Sequence, residues 1–337
     1  MTLQENVSLK PYNTFGIAAT SQYFTDISAP IDLQILMQSG LLNAFPFFIL
    51  GGGSNVVFNK LFAGVVVKIS LKGITVEEET DDSVLVKAAA GEVWSDFVGF
   101  CVSHNYYGAE NLTAIPGTVG ASPVQNVGAY GIEAKDIIES VEAYEILTGK
   151  QRIFSNIECQ FDYRSSIFKH ELKNKYIVAS VTFRLSKQPK LNLEYGAIRT
   201  EMEKAGITHP TLADVSRIIA EIREEKLPNP DKIGSAGSFF KNPVIPVAQY
   251  EALKEKHPAL VAYPHKGEYK VAAGWLIEQC GWKGRQFGNV GVYPKQALVL
   301  YNLGDCTGEE VKALAKEIQQ SVETHFGIAL EPEAIFV

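Results

Sequence analysis

Cysteine is scarce in this sequence. The 337 residues include Cys101, Cys159, Cys280 and Cys306, which lie far apart and form no C-x-x-C pair. Structural zinc sites and redox dithiols usually place two cysteines close together along the chain. The spacing therefore indicates neither a metal site nor a redox pair. It predicts instead that the four cysteines are small, buried and reduced.

Long apolar runs are missing as well. No uninterrupted run approaches the roughly 20 residues that a membrane-spanning helix requires. The opening segment MTLQENVSLKPYNTF has neither the basic part nor the apolar part that is typical of a signal peptide. We therefore expect a cytoplasmic protein that does not bind membranes.

The sequence has no excess of positive charge. Its formal net charge is −7, because 38 acidic residues outnumber 31 lysines and arginines. A nucleic-acid-binding protein usually presents a basic face, so this balance argues against a nucleic-acid partner. A phosphorylated small molecule is still compatible with it, since glycine-rich backbone binds phosphate with little side-chain charge.

The apolar pattern predicts an α+β chain. Strands are predicted over 45–50, 56–58, 64–70, 74–79, 83–91, 140–149 and 175–185. Helices are predicted over 92–105, 211–228, 271–281 and 307–327, the last with a capping box from Thr307 to Glu310. The change from strands to helices near residue 210 predicts two regions, with a boundary at about that position.

The first unusual segment is ILGGGSNVVF, residues 49–58. Three glycines lie between two strand-like runs, and glycine backbone can turn its N–H groups toward an anion. The segment is neither a Rossmann fingerprint leading into a helix nor a Walker loop ending in GK[ST]. A phosphate-binding loop and a simple hairpin turn both remain open.

A second segment, GAENLTAIPGTVGASPVQNVGAYG, covers residues 108–131. It is rich in glycine and proline, and no side chain from 111 to 131 is charged. Long segments of this kind inside a compact domain are more often functional than passive. The segment is expected to bring backbone donors and amide side chains against a large polar cofactor; the alternative is a surface Ω-loop.

Six motifs, taken in order, then point to one family. They are YNTFGI (12–17), LGGGSN (50–55), IPGTVGASPVQNVGAYG (115–131), CQFDYRSSIFK (159–169), GSAGSFFKNP (234–243) and LEPE (330–333). Together they resemble the bacterial UDP-N-acetylenolpyruvoylglucosamine reductases, the MurB family, over nearly the whole chain. LEYG (193–196) resembles the longer family type, in which a tyrosine-bearing loop closes over the substrate.

The resemblance implies a vanillyl-alcohol-oxidase-type FAD-binding fold with a separate α+β substrate domain. The FAD-binding region would cover 1–210, in subdomains of about 1–70 and 71–210. The substrate domain would cover 211–325, and 326–337 would return to the flavin side. The resemblance implies a non-covalent FAD, and the absence of histidine in or beside either glycine loop is consistent with that. NADPH is the implied co-substrate, although the sequence itself does not separate NADPH from NADH, and the protein is expected to be a monomer.

Residues of both glycine loops are the implied FAD contacts. From the first loop they are Gly51, Gly52, Gly53, Ser54 and Asn55; from the second they are Pro116, Gly117, Thr118, Gly120, Ala121, Gln125, Asn126, Gly128, Ala129, Tyr130 and Gly131.

The implied reaction reduces the enolpyruvyl ether of UDP-N-acetylglucosamine enolpyruvate to the lactyl ether of UDP-N-acetylmuramate, a peptidoglycan precursor. Charge builds up on the substrate as an enolate-like dianion. Arg164 is suited to hold its carboxylate with a planar fork. Ser238 is the implied proton donor, and no G-x-S-x-G motif surrounds it as it would a nucleophilic serine. Glu333 is expected to act as a protonated donor or through a bridging group.

Further substrate contacts follow from the resemblance alone: Tyr163, Tyr195, Lys226, Asn242 and Gln296. One position departs from the family pattern, because Ile335 stands where a basic residue is expected two positions after the catalytic glutamate. Arg285 is a candidate to compensate. Two other functions stay open at this stage: an oxidase of the same flavin fold acting on a sugar or alcohol, and a catalytically silent protein that binds a nucleotide sugar.

Overall fold

The computed structural model describes residues 1–230 and 232–337, which form two compact units. The first unit comprises Met1–Val7, Ser21–Gly53 and Ala63–Glu225, and the second comprises Ser8–Thr20, Ser54–Phe62 and Lys226–Val337. No helix within these described residues is long and apolar enough to cross a membrane.

The strands are, in chain order, β1 (Leu3–Ser8), β2 (Thr20–Ile27), β3 (Phe47–Leu50), β4 (Val56–Val57), β5 (Leu61–Ile69), β6 (Ile74–Glu79), β7 (Ser83–Ala89), β8 (Gly128–Ala129), β9 (Ile132–Glu133), β10 (Ile138–Glu145), β11 (Gln151–Ser155), β12 (Tyr176–Ser186), β13 (Ser235–Ser238), β14 (Val244–Ile245), β15 (Ala262–His265), β16 (Glu268–Val271), β17 (Gln286–Phe287), β18 (Val290–Val292), β19 (Val299–Asn302) and β20 (Ile335–Phe336). The helices are α1 (Pro30–Gln38), α2 (Leu41–Ala44), α3 (Trp94–Ser103), α4 (Ser122–Gln125), α5 (Gly196–Lys204), α6 (Leu212–Lys226), α7 (Val247–Lys256), α8 (Ala273–Gln279) and α9 (Gly308–Phe326).

Two sheets organise the first unit. One has the order β1-β2-β5-β3, with β3 and β5 parallel, and the other is antiparallel with the order β11-β10-β12-β7-β6. Strand β7 alternates buried and partly exposed residues, as expected for a strand with one face on the core. Strand β5 buries the β-branched run at 65–67 completely, which is typical of a strand covered on both faces.

Helix α3 packs on the antiparallel sheet. Its apolar stripe includes Trp94 and Phe97, whose rings lie 5.9 and 4.3 Å from the ring of Phe183 on β12. The indole N–H of Trp94 also donates to the carbonyl of Leu112 at 2.9 Å. The helix predicted over 92–105 is therefore confirmed, and it is bonded to the start of the second glycine segment.

Helices α5 and α6 form a smaller core of their own. Ile198 and Met202 of α5 pack in one buried cluster with Val215, Ile219 and Ile222 of α6. Most of α6 therefore belongs to the first unit, and the chain passes to the second unit after Glu225, whereas the sequence predicted a boundary near residue 210. The assignment of the two regions to FAD and substrate remains a prediction.

The second unit contains three small sheets. Their orders are β13-β19-β18-β17, β14-β16-β15 and the parallel pair β20-β4. Helix α9 begins at the predicted capping box, since the Thr307 hydroxyl accepts from the Glu310 backbone N–H at 3.2 Å. It ends at Gly327, whose φ of 62° is left-handed, as predicted for a C-terminal glycine.

Several elements were not predicted from the sequence. They are helices α1, α2, α4, α5 and α7 and strands β1, β2, β8, β9, β11 and β13 to β20. The start of α5 carries a signal that could have been used, because Ile198 and Met202 are four residues apart and Gly206 follows the helix. The prediction for the cysteines holds for three of them, and Cys280 is a correction: it is only half-buried, at the C-terminal end of α8.

Candidate active site

The two glycine loops meet backbone to backbone in the first unit. A Cβ atom on Gly52 would lie 2.8 Å from the Cα of Gly117, and one on Gly51 would lie 2.7 Å from the Oγ1 of Thr118. Neither contact leaves room for a side chain, so the glycines are required by the close approach of the loops. The structure thus brings together two segments that the sequence could only mark separately.

Hydrogen bonds hold the second loop in place. The carbonyl of Gly117 accepts from Trp94 N at 3.0 Å, and the N–H groups of Val119 and Gly120 donate at 2.9 Å to carbonyls at 92 and 90. Much of the segment is buried, including Pro123 and Asn126. The segment therefore consists of short turns packed against the rest of the unit, and it is not the surface Ω-loop that was the alternative.

Thr118 provides a test of whether the loops fit a cofactor. Its side chain is 6% exposed, and its Oγ1 is buried without a hydrogen-bond partner among the described residues. A buried hydroxyl left unsatisfied is costly and calls for an explanation. A polar ligand bound against the paired glycine loops would supply that partner, so the residues present fit a large phosphorylated cofactor such as FAD.

Arg164 lies beside the second loop. Its guanidinium donates to the carbonyl of Gly128 at 2.6 Å and to that of Asn126 at 3.3 Å. A Cβ on Gly128 would lie 3.1 Å from Nη1 of Arg164. Arg164 also has a φ of 52°, a conformation that is uncommon for a residue with a side chain and that is enriched at functional sites.

Arg223 of α6 is a neighbour that the sequence analysis missed. Its Nε donates to the carbonyl of Ala114 at 3.1 Å, and the charges of Tyr130 and Arg164 act on its guanidinium. Burial lowers the pKa of the Arg223 guanidinium, an effect that Tyr130 opposes and the charge of Arg164 reinforces. Burial likewise raises the pKa of Tyr130, against the attraction of Arg223. Two guanidinium groups near one loop make this region favourable for an anion.

A sequence signal for Arg223 existed. Val215, Ile219 and Arg223 are spaced by four residues, so the arginine continues the apolar stripe of the predicted helix. A charged residue on the buried stripe of a helix is an unusual feature that often has a specific partner.

Two candidate tyrosines lie in the same unit. Tyr195 is the N-cap residue of α5 and is 46% exposed, and its ring meets the ring of Tyr130 edge to face at 5.2 Å. The ring of Tyr163 lies 5.5 Å from the guanidinium carbon of Arg164. Tyr163, Arg164, Tyr130 and Tyr195 therefore belong to one connected group around the second loop.

Ser238 occupies the exposed end of strand β13 in the second unit. The register of β13 against β19 shifts between Ser235 and Ser238, and Gly237 within that shift has a φ of 68°. Such bulges re-aim the side chain that follows. The next residues, Phe239 and Phe240, are buried, so the serine hydroxyl stands at the edge of a rigid apolar support.

Glu333 is bonded beside this serine. Its backbone N–H donates to the carbonyl of Phe239 at 2.8 Å, and its own carbonyl accepts from the Asn55 side chain at 3.1 Å. Ile335, in β20, donates its N–H to the Asn55 carbonyl at 3.0 Å. Asn55 of the first glycine loop thus holds the glutamate segment in place.

Asn242 and Gln296 converge on the start of helix α8. The Asn242 Oδ1 accepts from Ala273 N at 2.9 Å, and Gln296 Oε1 lies 3.1 Å from where a Cβ on Gly274 would stand. Lys226 ends α6 as an exposed residue, and its ammonium has no hydrogen bond or ion pair to any residue the structure describes. Arg285 stacks on Trp282, with its guanidinium carbon 4.9 Å from the ring centre.

Two family models match parts of this chain. The FAD binding domain family model matches residues 32–155, and the model for the C-terminal domain of UDP-N-acetylenolpyruvoylglucosamine reductase matches residues 229–337. Among solved structures, p-cresol methylhydroxylase shares the fold with a TM-score of 0.50 at 13% identity, over 97% of this chain and 85% of that one. The matched domain and the fold define an FAD-binding protein with a vanillyl-alcohol-oxidase-type fold.

The particular family follows from full-length similarity. The UDP-N-acetylenolpyruvoylglucosamine reductase of Chromobacterium violaceum is 48% identical over the whole of both chains, and that of Pseudomonas aeruginosa is 44% identical over 99% of this chain and 98% of its own. The crystal structure of the Thermus caldophilus reductase has a TM-score of 0.70 at 22% identity, covering 99% of each chain. The chain belongs to the UDP-N-acetylenolpyruvoylglucosamine reductase family. This membership decides against the sugar or alcohol oxidase and the silent binding protein.

Proposed function

We propose that two groups of residues carry out the family's reaction: one around the second loop, which includes Arg164, and one that contains Ser238 and Glu333. The chain reduces UDP-N-acetylglucosamine enolpyruvate to UDP-N-acetylmuramate in peptidoglycan precursor synthesis. FAD, held by the two glycine loops, would supply the hydride chemistry of the reaction, with NADPH as the source of the electrons. The chain's own residues must bind the UDP-sugar, stabilise the charge that develops on it and deliver one proton.

Arg164 is proposed to hold the substrate carboxylate. Hydrogen bonds to the carbonyls of Asn126 and Gly128 fix the direction of its guanidinium before substrate binds. Preorganised donors stabilise most effectively the charge that develops during a reaction, because they need no reorganisation. Arg223, with its guanidinium near that of Arg164, adds positive potential to the same region.

Ser238 is proposed to donate the proton, and its position carries the assignment. It is an exposed hydroxyl at the end of a bulged strand whose neighbouring residues are buried, so it is presented outward on a rigid base. A serine is a weak acid, but an enolate-like carbon is basic enough to take its proton. Glu333, bonded through its backbone to the residue after Ser238, is proposed to act as a protonated donor or through a bridging group.

The remaining contacts are proposed for the UDP-sugar. Asn242 and Gln296 offer amide groups at the start of α8, and Lys226 offers an ammonium with no ion pair among the described residues. Tyr195 is proposed to close over the substrate as in the longer family type. A monomer located in the cytoplasm is likewise our proposal.

The test separates the two half-reactions under anaerobic conditions. Flavin reduction by NADPH is followed as bleaching, and the enolpyruvyl UDP-sugar is then added to restore the colour. We expect Ser238→Ala to change bleaching by less than about twofold and to slow recovery by about 10² to 10⁴, the range for loss of a general acid. Ser235→Ala, on the same strand, is the control and should leave both rates near those of the unaltered protein. Equal slowing of both steps by Ser238→Ala would show that the serine is not the proton donor.

A further inference from the structure

One asparagine joins the second glycine loop to the segment that carries Tyr195. Asn111 is fully buried, and its amide nitrogen donates to the carbonyl of Tyr130 at 2.9 Å and to that of Asn192 at 3.0 Å. These partners lie 19 and 81 residues away along the chain. Both amide hydrogens are therefore used to bridge two segments that are distant in sequence.

The orientation of this amide is determined by its partners. Two carbonyl oxygens can only accept, so the NH₂ side of Asn111 must face them. The opposite atom, Oδ1, is buried without a partner among the described residues. Leaving a buried acceptor unsatisfied destabilises the folded state. The bridge exists in spite of that cost, which indicates that the two hydrogen bonds serve more than packing.

The bridge determines where Tyr195 stands. Asn192 lies three residues before Tyr195, and its side-chain Oδ1 accepts from Glu194 N at 3.3 Å, which tightens the connecting turn. The Asn192 side chain also lies against Gly131, 3.4 Å from the position of a Cβ there. Beyond Tyr195, Ile198 is buried against α6. The tyrosine is thus held on both sides, by the Asn111 bridge before it and by an apolar contact after it.

We infer that Asn111 is a positioning residue that holds the Tyr195 segment against the second glycine loop and thereby determines the affinity for the UDP-sugar. This inference rests on the proposed substrate role of Tyr195. Asn111 does not touch the substrate itself. Without the bridge, the segment before Tyr195 loses its hydrogen bond to Asn111 of the second loop. Part of the binding free energy of the substrate must then be used to order this segment, and the affinity for the substrate falls.

The experiment uses the full-length holoenzyme with Asn111→Asp, which keeps the shape but presents an acceptor to the two carbonyls. Asn111→Leu removes the same bonds without adding charge and serves if the aspartate variant folds poorly. We expect the KM for the UDP-sugar to rise at least tenfold, while flavin bleaching by NADPH changes less than about twofold. The matched control is Asn156→Asp, because the Asn156 amide also bridges two carbonyls, at 2.8 and 2.7 Å, elsewhere in the unit. Its KM should stay within about twofold.

A double variant distinguishes the possible failures. Tyr195→Ala should raise the KM, and adding Asn111→Asp should raise it no further, since the asparagine acts through the tyrosine. If Tyr195→Ala raises the KM but the two effects multiply, or if Asn156→Asp matches Asn111→Asp, the inference is wrong. If Tyr195→Ala leaves the KM unchanged, the proposed role of Tyr195 is wrong and the inference falls with it.

Discussion

Thr118 offers a prediction in which folding and cofactor binding should change in opposite directions. Its hydroxyl is buried at the contact of the two glycine loops and lacks a partner among the described residues. Thr118→Val replaces the hydroxyl by a methyl group of nearly the same size. In the apoprotein this removes an unsatisfied polar atom, whose burial costs about 1–3 kcal/mol.

The magnitudes follow from that exchange. The free energy of unfolding of the apoprotein should rise by about 1 kcal/mol, which corresponds to about 2–4 °C in Tm for a domain of this size. FAD binding should lose one hydrogen bond, worth about 1.5–3 kcal/mol if its acceptor is charged. Since 1.4 kcal/mol is a factor of ten, the Kd for FAD should rise about tenfold or more.

The assay compares Thr118→Val with Thr25→Val. Thr25 is a fully buried residue of β2 whose hydroxyl also lacks a partner among the described residues. Apoprotein Tm is measured by calorimetry, and FAD affinity by recovery of flavin absorbance on titration. Both variants should raise the apoprotein Tm, but only Thr118→Val should weaken FAD. An unchanged FAD affinity in Thr118→Val would refute the reasoning that the orphaned hydroxyl is completed by the cofactor.

Two further predictions concern the glycine loops and helix α9. Gly52→Ala should destabilise the protein by about 1–3 kcal/mol and abolish flavin binding, because its Cβ would meet the Gly117 backbone at 2.8 Å. The control is Gly99→Ala on α3, which has open space around it and should stabilise the protein slightly. If the Gly52→Ala protein keeps the yellow colour of bound flavin, the expectation is wrong. Glu310→Gln should cost about 0.5 kcal/mol at pH 7, since solvent screens this partly exposed group. The Thr307 backbone N–H lowers the pKa of Glu310 below 4.5, so this stability is present above pH 4.5 and lost as pH falls through the lowered pKa. Urea unfolding of both proteins from pH 7 to 3 tests it, and a gap that stays constant with pH would count against the carboxylate.

Some parts of the molecule could be predicted because they depend on local patterns. The strand ITVEEE was predicted over the same residues that β6 occupies, and the capping box at Thr307 predicted the start of α9. Periodicity and capping act within a few residues, so the sequence alone carries that information. The motifs likewise identified the family, which the full-length relatives confirmed.

Other parts were decided only when distant segments met. The contact of Gly52 with Gly117, the orphaned hydroxyl of Thr118 and the arginine pair of Arg164 and Arg223 join residues far apart in the chain. The sequence pattern of α6 predicted the start of a second domain, but the apolar residues of α6 pack against those of α5 in the first unit. The physical reason is that burial and charge depend on what packs against a residue. An amphipathic pattern predicts that a helix packs against another element, but only the tertiary structure shows which element that is.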